Sequence, residues 1–143
     1  MKSKVLILSR YGDGLDLAID AKRDGHEAVC WIQDPKRRPL IYEGMVKKVD
    51  KWQEALDWAD TVIFDANGLT EEWKIASKKK PCWGGSVEGE RMEKDRDYAH
   101  SLMEKAGMKA LKSDTFKTLE EAIKFVSKKK GLRVCKKKPV SIR

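Results

Sequence analysis

Four consecutive apolar residues near the start of the chain, residues 5–8 (VLIL), limit what this sequence can fold into more than any other feature. A strand with one face in water alternates apolar and polar residues, whereas a continuous apolar run is typical of a strand covered on both faces. Strands of that kind belong to parallel sheets that have helices on each side. The polar, glycine-containing residues 9–14 end the strand.

Further strand-like segments alternate with helix-like ones over the first 85 residues. Residues 27–32, 61–64 and 81–83 are predicted strands, and residues 45–49 are a candidate for another short one. Apolar residues at helical spacing predict the helices between them: Leu15, Ala18 and Ile19 in the first, Trp52, Ala55, Leu56 and Ala59 in the second, and Leu69, Trp73 and Ala76 in the third. This alternation predicts an α/β fold, a Rossmann-like parallel sheet with helices on both faces.

The character of the sequence changes after Gly85. One long, charged helix is predicted from the apolar residues between Met92 and Ala106, with Gly107 ending it. An extended stretch (residues 111–116), a helix (residues 119–126) and a last strand (residues 132–135) are predicted to follow. We expect a boundary between two parts of the chain near residues 85–95.

The composition favours a folded protein in a reducing compartment. Hydrophobic residues make up 41% of the chain, which is enough for a core, and the three cysteines are widely spaced and are predicted to be buried thiols. The apolar run near the N-terminus is too short for a signal peptide or a membrane span, so a cytoplasmic protein is expected. Lysine runs contribute much of the net charge of +8, and two of them fall at predicted helix ends, where cations are favourable. No aromatic residues are interleaved with the lysines, so nucleic acid is an unlikely partner.

The first candidate site is the loop Gly12, Asp13 and Gly14, where a dinucleotide-binding fold places its phosphate turn. The third glycine of that fingerprint would fall at position 17, which is Leu17, so a dinucleotide is not favoured. The alternatives are a plain tight turn and a site for a monophosphate or another small substrate, because helix N-termini attract anions.

The second candidate site is the loop that follows the predicted strand of residues 61–64. Its residues Asp65, Asn67 and Gly68 lie at the carboxyl end of a central strand, where open α/β sheets bind ligands. A turn held by Asx-type hydrogen bonds would explain the same residues equally well.

Residues 84–108, GGSVEGERMEKDRDYAHSLMEKAGM, resemble the entry to the ATP-grasp region of the phosphoribosylamine–glycine ligases (glycinamide ribonucleotide synthetases). That family reads roughly G-P-S/T, then L-E, then S-K-x-F-A-K, then a helix ending in G-I/V-P-T. The positions in register here are Gly84, Ser86, Met92, Glu93, Arg96, Tyr98, Ala99, Met103, Gly107 and Met108. Residues 116–122 and 132–136 are similar to the family's T-F-x-x-x-E-E-A and P-I-V-V-K, and residues 5–18 are similar, more weakly, to its opening strand and loop.

The resemblance implies a Rossmann-like pre-ATP-grasp domain (residues 1–90) followed by the beginning of an incomplete α+β ATP-grasp domain (residues 91–143). It implies a ligase that uses ATP and Mg²⁺ to form an amide through an acyl phosphate, of the kind found in purine biosynthesis. Arg96 and Lys136 stand where the family has lysines that contact the nucleotide. The loop residues expected to face a phosphoribosylamine-like substrate are Gly12, Asp13, Gly14, Asp65, Asn67 and Gly68.

The chain also departs from the family at several positions. Asn67 stands about where the family has the glutamate of G-P-E, and Lys137, Lys138 and Pro139 replace a glycine-rich stretch. Because the sequence given ends just after Lys136, we expect this portion to be inactive alone, with a missing ATP-grasp lobe or a second copy as a partner. The alternative is a stand-alone, non-catalytic module that binds a nucleotide, a phosphosugar or a protein.

Overall fold

The computed structural model describes residues 1–109 and 114–128. These residues form four strands and six helices, in the order β1 (Lys4–Ser9), α1 (Asp16–Arg23), β2 (Glu27–Ile32), α2 (Trp52–Trp58), β3 (Thr61–Phe64), α3 (Thr70–Ala76), β4 (Cys82–Gly84), α4 (Val87–Lys94), α5 (Arg96–Lys105) and α6 (Leu119–Ser127). The chain divides into two compact units, Met1–Glu93 and a second that begins at Lys94.

The four strands form one parallel sheet in the order β2-β1-β3-β4, which confirms the predicted α/β class. β1 is central, and its Ile7 lies between Cys30 of β2 and Ile63 of β3. The chain runs from β1 outward to β2 and then returns to the other side of β1 as β3. The strand order therefore reverses between β1 and β3, and a crevice opens at the carboxyl ends of strands at such a switch point.

Helices cover both faces of the sheet, as the continuous apolar run of β1 predicted. Leu6 and Leu8 pack on one face with residues of α2 and α3. Val5 and Ile7 pack on the opposite face with Leu15, just before α1, and with residues of α1. All four of these β1 side chains are buried, so β1 contributes apolar surface to two cores at once.

The first helix ends where the sequence predicted. Gly25 has a φ of 86°, its N–H donates to the carbonyl of Lys22, and the N–H of His26 donates to the carbonyl of Ala21. This pair of hydrogen bonds is a Schellman motif, which needs a left-handed residue that glycine adopts without steric cost.

Two predicted elements are wrong. Residues 45–49 make a single parallel bridge, Cys30 to Lys48, and no strand. The long helix predicted between Met92 and Ala106 is two helices, because Asp95 is extended and its side chain accepts a hydrogen bond from the N–H of Tyr98 at 3.0 Å. An aspartate in this geometry caps a new helix, and it competes with continuation of the old one.

The second unit contains α5 and α6. Thr118 caps α6 by accepting from the N–H of Glu121, and the rings of Phe116 and Phe125 lie 5.0 Å apart. Half of the predicted extended stretch (residues 111–113) and the whole predicted strand of residues 132–135 lie outside the described residues, so the ATP-grasp segment stays a prediction. Within residues 1–109 and 114–128, every helix is too short or too polar to cross a lipid bilayer.

The two-sided burial of β1 leads to a prediction for stability. Leu6→Ala removes a side chain that is fully buried, and we expect it to lower the free energy of unfolding by about 2–5 kcal/mol. The matched change Leu40→Ala, at a leucine that is 76% exposed, should alter it by less than about 0.5 kcal/mol. Urea denaturation followed by tryptophan fluorescence measures both, and equal effects would contradict the assignment of the core.

Candidate functional site

The candidate site lies at the carboxyl edge of the sheet in the first unit. Both loops that the sequence singled out are there, residues 10–15 after β1 and residues 65–69 after β3, and they flank the switch point. The structure joins them directly, because the N–H of Gly14 donates to Asp65 Oδ2 at 2.8 Å. A Cβ at Gly14 would lie 2.5 Å from Cβ of Asp65, so the close approach of the two loops requires glycine there.

The Asp65 carboxylate lies in the place where a phosphate turn would hold an anion. Gly14 immediately precedes the first turn of α1, and the N–H of Leu17 donates to its carbonyl at 3.2 Å. A helix N-terminus carries partial positive charge, and Asp65 accepts a hydrogen bond from the N–H of Gly14 in the turn just before α1. A ligand phosphate that approached the Gly14 N–H would have to displace Asp65.

The rest of the first loop is held locally. The N–H of Gly12 donates to Ser9 Oγ at 2.6 Å, and Gly12 is buried against Ile41. Asp13 is exposed at the outer end of the loop. Among Gly12, Asp13 and Gly14, Asp13 alone has an ionisable side chain, and it faces solvent.

The second loop is fixed by the helix that follows β4. Asn67 Nδ2 donates to Glu93 Oε2 at 2.8 Å, and the N–H of Gly68 donates to Glu90 Oε2 at 3.2 Å. The Thr70 hydroxyl donates to the same oxygen of Glu90. The space enclosed between this loop and the start of α4 has no room for a water molecule, so the contact is a packed support and not a binding cavity.

The two residues expected to contact ATP do not belong to the first unit, Met1–Glu93. Arg96 is the first residue of α5 in the second unit and is exposed. Lys136 lies outside the described residues. Their roles remain predictions from the resemblance.

Sequence reasoning missed a cationic group beside these loops. Arg10 follows β1 directly, and its guanidinium carbon lies 5.0 Å from the ring centroid of Tyr11. The guanidinium carbon of Arg37 lies 5.0 Å from the same ring. The signal was present in the sequence as Arg-Tyr between the strand and the first glycine, but a search for a glycine pattern does not register it.

A wider cleft lies away from this edge and is a weaker candidate. It has a volume of about 700 Å³ and is lined by Lys22 of α1 and by residues of the segment between β2 and α2, namely Pro35, Arg38, Pro39, Glu43, Gly44, Met45, Val46, Lys47, Lys48 and Asp50. Two of its cations are already paired, Lys48 with Glu43 and Arg38 with Asp50, each at 2.9 Å. Lys48 also donates to the carbonyls of Arg38 and Ile41 at 2.8 Å, so its ammonium group holds the loop together.

One buried thiol lies near the site. The pKa of Cys30 is raised to about 12, mainly by burial and also by the negative charge of Asp65, while the positive charge of Lys48 acts in the opposite direction. A thiol with this pKa is protonated at neutral pH and is a poor nucleophile. Cys30 is therefore a core residue.

No protein-family model matches the sequence, and no curated protein matches it either. In the part of the chain that the structure describes, no group of three or more His, Cys, Asp or Glu side chains could hold a metal ion. The candidate site therefore rests on its geometry.

The Gly14–Asp65 hydrogen bond gives a second prediction. Asp65→Ala leaves the N–H of Gly14 without its acceptor at a partly buried position, which should lower the free energy of unfolding by about 1–3 kcal/mol. The control is Asp13→Ala in the same region, where the carboxylate is exposed and the change should stay within about 0.5 kcal/mol. If the two variants unfold at the same urea concentration, the hydrogen bond does not stabilise the loop pair.

The Cys30 pKa predicts how stability changes at alkaline pH. The thiol loses its proton near pH 9 in the unfolded chain and near pH 12 in the folded one, so the folded state binds more protons between these values. The contribution of Cys30 to stability is thus complete below pH 9 and decreases above it, by at most about 1.4 kcal/mol per pH unit.

The measurement is the difference in unfolding free energy between the natural chain and Cys30→Ala at several pH values from 7.5 upward. We expect a constant difference up to pH 9 and a decreasing one above. Cys82→Ala removes a partly exposed thiol, and its difference should depend less on pH. A difference for Cys30→Ala that is flat through pH 10.5 would contradict the assigned pKa.

Proposed function

We propose that this chain is the N-terminal portion of an ATP-dependent carboxylate–amine ligase similar to phosphoribosylamine–glycine ligase. In this proposal the unit Met1–Glu93 binds a small phosphorylated amine at the carboxyl edge of its sheet. The parallel sheet, with its switch point between β1 and β3, is the kind of scaffold on which such sites are built. A fold alone does not specify an activity, because the activity depends on the residues of the site.

The observation that carries the proposal is the contact between α4 and the second loop. The segment most similar to the ligase family begins at Gly84, and within it Glu90 and Glu93 hold Gly68 and Asn67 by hydrogen bonds. The residues that resemble the family thus support the loop that the resemblance assigns to the substrate. Asn67 also complements Glu93, whereas a glutamate in its place would put two carboxylates together.

The first unit would supply binding and orientation in such an enzyme. Support from α4 reduces the freedom of the loop before the ligand arrives, and a preordered site binds with a smaller entropy cost. ATP with Mg²⁺ would activate the carboxylate substrate in the complete ligase, with Arg96 and Lys136 as the candidate contacts to the nucleotide. Binding of the amine by the first unit does not depend on those two residues.

A stand-alone binding module is the second candidate. The observation in its favour is that Met1–Glu93 forms a compact unit with its own apolar core on both sheet faces. Such a unit could hold a nucleotide, a phosphosugar or a partner protein without catalysing a reaction.

The test is to recover the native polypeptide that contains these residues and to measure its intact mass and its ligase activity. We expect a mass well above 16.4 kDa and ADP formation that requires both glycine and phosphoribosylamine, the latter formed in solution from ribose 5-phosphate and ammonia. A mass of 16.4 kDa with no ADP formation would favour the binding module.

A variant tests the role of α4 in the same assay. Glu93→Ala removes the acceptor of the Asn67 amide and should raise KM for the amine about threefold to tenfold, because the loop loses a charge-assisted hydrogen bond. The control Glu71→Ala removes an exposed glutamate of α3 that pairs with Lys74. Equal KM values for the two variants would contradict a role of α4 in positioning the loop.

A further inference from the structure

Arg10, Tyr11 and Arg37 form a compact group at the carboxyl edge of the sheet, which we call the arginine–tyrosine cluster. Each guanidinium carbon lies 5.0 Å from the centroid of the Tyr11 ring, within the range of a cation–π interaction. All three side chains reach solvent. Both guanidinium groups thus contact the same aromatic ring.

The position of Arg10 is determined by the second loop as well as by the ring. A Cβ at Gly68 would lie 2.8 Å from Nη1 of Arg10, so the guanidinium packs against the backbone of Gly68. Gly68 also has a φ of 99°, which a residue with a side chain rarely adopts. Glycine at position 68 therefore makes room for the arginine.

Arg10 has no carboxylate partner among residues 1–109 and 114–128, although acids are numerous in this region. Asp65 accepts from Gly14, and Glu90 and Glu93 are engaged with the loop after β3. Two cations without full neutralisation repel each other, and an anionic ligand would relieve that repulsion.

Arg37 is only weakly paired. Its Nε lies 3.8 Å from Asp34 Oδ2, and its side chain is about half exposed. Exposed ion pairs of this length contribute little to stability, so Arg37 can exchange its partner for a ligand at small cost.

Backbone hydrogen bonds keep the two arginines at the same edge. The N–H of Asp34 donates to the carbonyl of Arg10 at 3.2 Å, and the N–H of Gln33 donates to the carbonyl of Ser9 at 2.8 Å. These bonds tie the loop after β2 to the loop after β1. The cluster is thus carried by neighbouring strand ends of the central sheet.

We propose that Arg10 and Arg37 bind the phosphate group of a phosphate monoester, with the rest of the ligand lying over the switch point. The choice of a phosphosugar as the ligand rests on the proposed function, whereas the phosphate follows from the two guanidinium groups, whose planar forks match phosphate oxygens. Because Asp65 already accepts the Gly14 N–H in the turn before α1, the arginines would bind the phosphate in place of the phosphate turn of dinucleotide-binding folds.

Calorimetric titration of the 143-residue chain with ribose 5-phosphate tests the proposal, with ribose, AMP and inorganic phosphate as separate titrants. We expect ribose 5-phosphate to bind and ribose not to bind. Tighter binding of AMP would identify a nucleotide as the source of the phosphate, and binding of inorganic phosphate at equal affinity would show that the cluster recognises the anion alone. Absence of binding by every phosphate at about 10 mM would overturn the proposal.

Variants assign the binding to the cluster. Arg10→Gln should weaken binding of ribose 5-phosphate about tenfold or more, and Arg37→Gln about threefold to tenfold, because charge-assisted hydrogen bonds are lost. The matched control is Arg23→Gln at the end of α1, where the arginine pairs with Asp20 and the charge change is identical. Equal weakening in Arg10→Gln and Arg23→Gln, or no weakening in either cluster variant, would overturn the assignment.

Circular dichroism spectra and unfolding midpoints separate a binding defect from a folding defect. If Arg10→Gln does not fold, Arg37→Gln still tests the cluster, because it changes an exposed loop residue.

The result for the cluster can also be distinguished from the result for the proposed ligase function. If phosphate binding depends on Arg10 but the native polypeptide has no ligase activity, the phosphate site is supported and the proposed ligase function is contradicted. If the polypeptide has ligase activity that Arg10→Gln leaves unchanged, the ligase function is supported and the phosphate site at Arg10 is contradicted.

Discussion

The burial of β1 on both faces is the constraint on which the rest of the first unit depends. A strand that contributes Leu6 and Leu8 to one core and Val5 and Ile7 to another must be central, with helices on each side. The connections satisfy this by placing β2 and β3 on opposite sides of β1. The reversal between β1 and β3 then follows from the topology, and it brings the loops after these strands to one point on the sheet edge.

At that point the protein supplies its own anion. Asp65 accepts from the N–H of Gly14, and this bond sets the distance between the two loops and closes the turn that begins α1. An inference from loop position alone would give this turn to a phosphate. The geometry separates the two functions: Asp65 completes the turn, and the cationic groups are Arg10 and the weakly paired Arg37, which share the Tyr11 ring.

The sequence was a good guide to the first unit because its elements depend on local patterns. The strands of residues 27–32 and 61–64 were predicted with their final bounds, since continuous apolar runs between turn residues leave few alternatives. The break at Asp95 was missed because apolar spacing continues through it, and only the capping hydrogen bond decides where one helix ends. Both site loops were predicted, but their partners were not, because Gly14–Asp65 and Asn67–Glu93 join residues far apart in the chain.

The contrast between local patterns and contacts of distant residues also applies to the arginine–tyrosine cluster. Its contacts indicate a possible ligand charge, which a sequence motif does not. A glycine pattern indicates where a backbone can approach a ligand. Whether the charge of an arginine is available to a ligand can be judged only when its neighbouring groups are known. Arg10 is informative because its guanidinium lies against Gly68 and because Asp65, Glu90 and Glu93 have other partners. In the proposed site, three loops would act together, with the glycines setting the spacing and the arginines setting the charge of the ligand that fits.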